Sequence, residues 1–221
     1  MIRITKGPIP EILARNGAAW TKTISDHLAA GTDPTEAEKS RYRHAEIKSA
    51  LVTETSGKCA YCESKVRHAT YGDVEHIVPK SAEPTRAFEW GNLTLACDVC
   101  NTNKGTHQGI VDPYEVEPSD HLIFAGASIL PRPGSGLGLT TESTLQLNRL
   151  PLLERRMEKL RFLNKMLHLL VEVDNPVTVA AIRRDLETNE IGSDKEFAAM
   201  AREYIHAELR RIDEARAARP A

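Results

Sequence analysis

The sequence predicts an α+β chain, mainly helical, whose N-terminal and C-terminal helices flank a small strand, strand and helix core closed by a four-cysteine zinc site. Three observations carry this expectation. All four cysteines fall in two CxxC pairs, "KCAYCES" at 58–64 and "LACDVCNTNKG" at 95–105. The segment between the pairs holds two short β-prone runs, and most of the remaining chain repeats apolar residues at helical steps of three and four.

The elements follow in order. Residues 8–30 put Ile12, Leu13, Trp20, Ile24 and Leu28 at helical spacing, interrupted at Gly17 and closed by the turn chemistry of "GTDPTE". Thr35 begins a second helix with Glu36 and Glu38 in its first turn. That helix continues through "EKSRYRHAEIKSALVTE" with Tyr42, Ile47 and Leu51 facing a core, and Gly57 ends it. "YGDVEHIVP" is a short strand stopped by Pro79, and "NLTLA" a second strand leading into the second CxxC and a polar, helix-compatible turn. Beyond Pro113, "HLIFAGASIL", "PRPGSG" and "LGLTT" predict a loose β-hairpin, whose glycines lack the GK[ST] ending of a phosphate loop.

From Thr144 the chain turns helical. Leu153, Met157, Leu160, Asn164, Leu167 and Val171 form a packing stripe, flanked by the basic residues Arg149, Arg155, Arg156, Lys159, Arg161 and Lys165. This basic cluster would serve a polyanion or else a docking face. "TVAAIRRDLETN" and "DKEFAAMAREYIHAELRRIDEARAA" supply two more helices, the last read as a solvated terminal helix because it carries both signs of charge. The boundaries drawn are an N-terminal helical segment at 1–52, a core at 53–110, a hairpin and loop segment at 111–143, and a C-terminal helical region at 144–221.

Composition narrows the function. With 41% hydrophobic and 27% charged residues and a formal net charge of −2, the chain is an ordinary globular protein without the global basic field that non-specific nucleic-acid binding draws on. No stretch approaches the ~18 uninterrupted apolar residues of a membrane span, so the expectation is a cytoplasmic protein with no membrane partner. In such a compartment paired cysteines indicate metal rather than disulfides.

The two-residue gap in each pair lets both sulfurs reach one tetrahedral ion, which makes Cys59, Cys62, Cys97 and Cys100 a structural zinc site. Inside the bracket, Glu75 is a carboxylate able to hold a hard divalent cation, and His76 is a base that titrates near neutrality. Asn101 could supply a second oxygen ligand. Hydrolysis of a phosphodiester needs this pair of functions, a cation for the growing charge and a base for the water proton. Asp73 shares strand parity with Glu75 and could compete for the ion, and His107 is a candidate auxiliary ligand. Lys80 and Lys104 are candidate phosphate contacts, Trp90 a loop anchor, and His44, His68 and His121 surface or capping residues.

"DVEHIVP", "NLTLACDVCN" and the following "KG" resemble the HNH endonucleases, whose ββα-metal core clasps one catalytic metal, often beside a separate four-cysteine zinc staple. The resemblance implies that His76 is the general base, that Asn92 orients the loop carrying it, and that Glu75 and Asn101 ligate Mg²⁺ or Mn²⁺. Two positions depart from the usual pattern: Glu75 stands where Asp is common, and Asn101 where His is common. The flanks "YRHAEIKSALVTETSGKCAYCE" and "TTESTLQLNRLPLLERR" resemble the HNH subunit of Septu-type and retron-associated bacterial defence systems, which implies an ABC-type ATPase partner beside a DNA or RNA substrate. A second reading stays open, a non-catalytic zinc module in which Glu75 and His76 are structural. Under the nuclease reading His76 is expected to be exposed, so that its replacement leaves stability nearly unchanged.

Overall fold

The computed structural model describes residues 1–66 and 72–218; His68 and Tyr71, the start of the first expected strand, lie outside the described residues. Helix α1 (Glu11–Ala30) ends at Gly31 in the left-handed region, φ 65°. It runs unbroken through Gly17, which is buried against Leu13 and the Phe88 carbonyl. Packing there outweighs the ~1 kcal/mol helix penalty of glycine.

The expected single second helix is three pieces. Thr35 and Glu38 form a reciprocal capping box on the one-turn α2 (Glu36–Lys39). The Ser40 hydroxyl then donates to the Glu36 carbonyl at 2.6 Å, a 3₁₀ turn spans Arg41–Arg43, and His44 Nδ1 accepts from the Glu46 amide at 3.2 Å to start α3 (Ala45–Glu54). Side chains that bond locally to the backbone offer it an alternative to a continuous helix. Tyr42, Ile47 and Leu51 are buried as expected.

Strands β1 (Asp73–His76) and β2 (Leu93–Ala96) pair antiparallel in the register Asp73 to Ala96, Glu75 to Thr94 and His76 to Leu93. Leu93, Leu95 and Ala96 are fully buried, and Cys97 leads directly into α4 (Asp98–Lys104). The Ala60 amide donates to the Leu95 carbonyl at 2.9 Å, which fastens the first cysteine knuckle to β2.

The second hairpin is shorter than expected. Strands β3 (Leu122–Ala125) and β4 (Ser128–Pro131) turn at Gly126, φ 61°, so "PRPGSG" follows the hairpin instead of forming its turn. "LGLTT" belongs to helix α5 (Gly136–Leu145), capped by Ser135, whose Oγ accepts from the Gly138 amide at 3.0 Å. A Cβ on Gly138 would stand 2.1 Å from the His121 carbonyl oxygen, so this helix can approach the hairpin only with glycine there.

Helix α6 (Leu150–Glu172) buries Leu152, Arg156, Leu163, Leu167 and Leu170. Of the expected stripe only Leu167 is buried, while Met157 and Val171 are exposed. Helix α7 (Pro176–Arg184) continues into a π turn, Asp185–Glu190. Helix α8 (Ala198–Ala217) is not the solvated helix expected, because Ala201, Ile205 and Leu209 pack with Leu163, Leu167, Leu170 and Leu186 in a second apolar cluster.

The basic cluster on α6 is also dispersed. Arg156 is fully buried and donates to the Leu147 and Ala127 carbonyls at 2.8 and 3.1 Å, and burial pulls its guanidinium down to about 10, still a cation at neutral pH. Lys159 pairs with Glu190, and Arg155 with Glu158 and Glu196. These side chains hold the C-terminal helices together and do not form a continuous cationic face. Among the described residues no helix is long and apolar enough to cross a membrane.

Candidate functional site

The four cysteines converge. Their Sγ atoms all lie within 4.8 Å of one another, and among the described residues they are the only such group of metal-binding side chains. The Cys62 to Cys97 Sγ separation is 3.9 Å, against the ~3.8 Å that Zn–S bonds of ~2.3 Å subtend at tetrahedral angles. Cys97 caps α4, its Sγ accepting from the Cys100 amide at 3.4 Å. The Arg149 guanidinium donates to Cys100 Sγ at 3.5 Å and Cys97 Sγ at 3.7 Å, placing a positive charge against the thiolates zinc would require. Four closely set, largely buried thiols fit zinc.

At the far end of β1, His76 is buried, contrary to the expectation of an exposed base. Its Nε2–H donates to the Ala87 carbonyl at 3.0 Å, and the Tyr42 ring stands edge-on at 4.5 Å between centroids. This bond fixes the tautomer, leaving Nδ1 with the lone pair. Burial lowers the imidazole to about 4, so it is neutral at physiological pH.

His76 lines a cavity of about 440 Å³ together with Asp73, Glu75 and Asn101. Asn101 Nδ2 donates to Asp73 Oδ2 at 2.9 Å, which leaves the Asn101 Oδ1 acceptor uncommitted to that contact. Glu75 is engaged differently from the expected free ligand. Lys104 Nζ donates to Glu75 Oε1 and to the His76 carbonyl, both at 2.7 Å. Burial still holds the Glu75 carboxyl above its usual range, against the opposing pull of this ammonium. Asp73, on the same strand face, joins Glu75 and Asn101 as an oxygen donor set suited to a hard divalent ion. His107 is exposed and outside the lining.

Lys104 is 1% exposed, so the expectation that it contacts phosphate is corrected: its ammonium is spent inside the protein. Lys104→Met should therefore destabilise the fold by about 3–5 kcal/mol by leaving the Glu75 carboxylate buried without its partner, read as a lower urea midpoint. Lys80 does face the cavity, donating to the Tyr42 hydroxyl at 3.0 Å. Arg43 and Lys48, which sequence reasoning did not select, line the same cavity. The signal that could have found them is the helix break at Ser40 to His44, which turns Tyr42 and Arg43 toward the strand end.

Asn92, 1% exposed, braces the loop after His76. Its Oδ1 accepts from the Val78 amide at 2.7 Å, and its Nδ2 donates to the Val78 and Arg86 carbonyls at 3.1 and 3.2 Å. It does not itself line the cavity. Asn92→Ala should cost about 2–4 kcal/mol, since it strands three backbone groups, measured by chemical denaturation. Trp90 anchors this loop as expected, its Nε1–H donating to the Gly7 carbonyl at 2.8 Å beneath the Lys6 ammonium.

Comparisons with known proteins agree with this geometry. The family model for HNH endonucleases matches residues 59–107, which run from the first of the four cysteines past the end of α4. A Septu protein PtuB of Bacillus thuringiensis is 36% identical over 110 residues, covering 47% of this chain and 42% of the relative. A Septu protein PtuB of Bacillus mycoides (strain KBAB4) is 27% identical over 150 residues, covering 52% of this chain and 51% of the relative. The chain thus spans about half the length of the curated relatives it matches. The cysteine bracket, the His76 strand end and the Asn101 helix fall within the matched span: residues 59–107 match the HNH endonuclease family model, and about half of the chain is similar to Septu PtuB proteins.

Proposed function

We propose that this chain is a metal-dependent endonuclease that hydrolyses nucleic-acid phosphodiesters, and that it is the nuclease of a bacterial defence complex acting beside an ABC-type ATPase. The observation that carries the reading is His76, neutral and held in one tautomer by the Ala87 carbonyl, beside the oxygen donors Asp73, Glu75 and Asn101 in one cavity. Nδ1 takes a proton from water as its oxygen bonds to phosphorus and the ester P–O bond breaks. Asp73, Glu75 and Asn101 would hold Mg²⁺ or Mn²⁺, which would supply compensation for the charge growing on the phosphate and leaving oxygen. Arg43, Lys48 and Lys80 hold flanking phosphates.

The burial of Glu75 and its pairing with Lys104 favour the alternative, a zinc module in which these groups are structural. Cleavage of plasmid, single strands and tRNA with Mg²⁺ or Mn²⁺, compared between the chain and its His76→Ala variant, separates the two.

Partner dependence follows from charge. Residues 53–111 hold Lys58, Lys65, Arg67, Lys80, Arg86 and Lys104 against Glu54, Glu63, Asp73, Glu75, Glu83, Glu89 and Asp98, one acid in excess, and Lys104 is buried. Non-specific affinity comes mainly from cationic side chains that displace counterions. The isolated chain should bind weakly and cut poorly at physiological salt, and the reconstituted complex should cut well. Robust cleavage with sub-micromolar binding by the chain alone would refute that dependence.

A further inference from the structure

A second groove, of about 250 Å³, opens beside the cavity between the last turns of α1 and the loop that follows β1. Ile24, Leu28, Pro34, Pro84 and Phe88 wall it, and Asp33, Lys39 and Ser81 give it a polar edge. Two features join it to the reaction centre. Lys80 and Ser81 line both spaces. Ala87, also in the groove wall, is the residue whose carbonyl accepts the His76 Nε2–H bond at 3.0 Å.

We infer that this groove receives one unpaired nucleobase of the substrate strand, adjacent to the phosphate held in the cavity. The inference rests on the nuclease reading. A base has two apolar faces and a polar rim, and the groove offers apolar walls with an acceptor in Asp33, a donor in Lys39 and a hydroxyl in Ser81 that can do either. Its volume, about 250 Å³, is sufficient for a single base. Lys39 and Lys80 at its margin suit a polyanion whose backbone passes from groove to cavity. A duplex keeps its bases paired and stacked, whereas single strands, loops and ends can splay one out. The substrate class is therefore nucleic acid with an unpaired nucleotide beside the scissile bond.

Leu28 allows a test without disturbing the core, because it is 52% exposed. The full chain is titrated at low ionic strength against a fluorescent single strand and against a strand of equal length made of abasic sites, which keeps the phosphates and removes the bases. Wild type should bind the base-bearing strand about tenfold more tightly, the scale of stacking one base. Leu28→Asn, and Leu28→Trp by filling the groove, should erase that ratio while leaving abasic-strand affinity unchanged. Equal binding of both strands by wild type, no measurable binding of either, or a ratio that survives both substitutions overturns the inference. The last result places base recognition elsewhere on the chain. Cleavage of the same strands by wild type and His76→Ala reports on the nuclease reading separately. Base-dependent binding that requires Leu28 sustains the groove even if nothing is cut, and cutting without base dependence removes the groove alone.

Discussion

Cys59→Ser or Cys97→Ser is expected to leave the core of the protein unfolded. Elemental analysis of the unmodified chain should find close to one zinc per chain, and either variant should find little. Ala60 is tied to β2, and Cys97 is both the end of β2 and the cap of α4. One ion held by the four thiols would join the knuckle, the strand and the helix that carries Asn101. Structural zinc contributes an apparent ~10–16 kcal/mol of binding free energy, which matches or exceeds the ~5–15 kcal/mol net stability of an ordinary domain. Circular dichroism and backbone NMR of Cys97→Ser should show collapse of residues 59–104 with loss of cooperative melting. A zinc-free sample that stays folded and monodisperse would sink the assignment.

The second large effect is His76→Ala, which should reduce cleavage by about 10²–10⁴, the range of a general base. It should also lower stability, by about 2–3 kcal/mol, because the side chain is buried, bonded to Ala87 and packed on Tyr42. For a chain of this size that is a fall of roughly 4–12 °C in melting temperature. Activity must accordingly be compared at a temperature where both proteins are folded. Cleavage by the folded variant within tenfold of wild type would remove His76 from the chemistry.

Much of the site was legible because its residues are constrained by local spacing. The two CxxC pairs converge as their spacing implied, with an antiparallel strand pair between them. The role of Asn92 in bracing the His76 loop likewise followed from the resemblance and agrees with its three hydrogen bonds. What was missed depends on tertiary packing. Lys104 looked like a phosphate contact because nothing local says that its ammonium turns inward to Glu75, a residue distant in sequence. The α6 stripe was misjudged because Arg156, polar in any pattern, occupies the buried line with its guanidinium on backbone carbonyls. "LGLTT" reads as alternating and β-branched, yet Ser135 caps a helix there and Gly138 lets that helix meet the His121 carbonyl. Charge of both signs concealed the buried Ala198, Met200, Ala201, Ile205 and Leu209 of α8.

Glu63, in the first knuckle with a positive φ of 63°, makes order of synthesis matter. Its Oε2 accepts from the Ala199 amide at 3.3 Å, its carbonyl from the Phe197 amide at 3.4 Å, and the neighbouring Lys58 ammonium reaches the Lys195 carbonyl at 2.9 Å. The Glu63 and Ala199 partners are 136 residues apart. At ~5–20 residues per second, the ribosome takes roughly 7–27 s to cross that interval. Every residue proposed to act on substrate has by then been made, while the knuckle beneath them still waits for α8. A nascent chain therefore carries every residue of the cavity lining before it carries the frame that fastens the first knuckle.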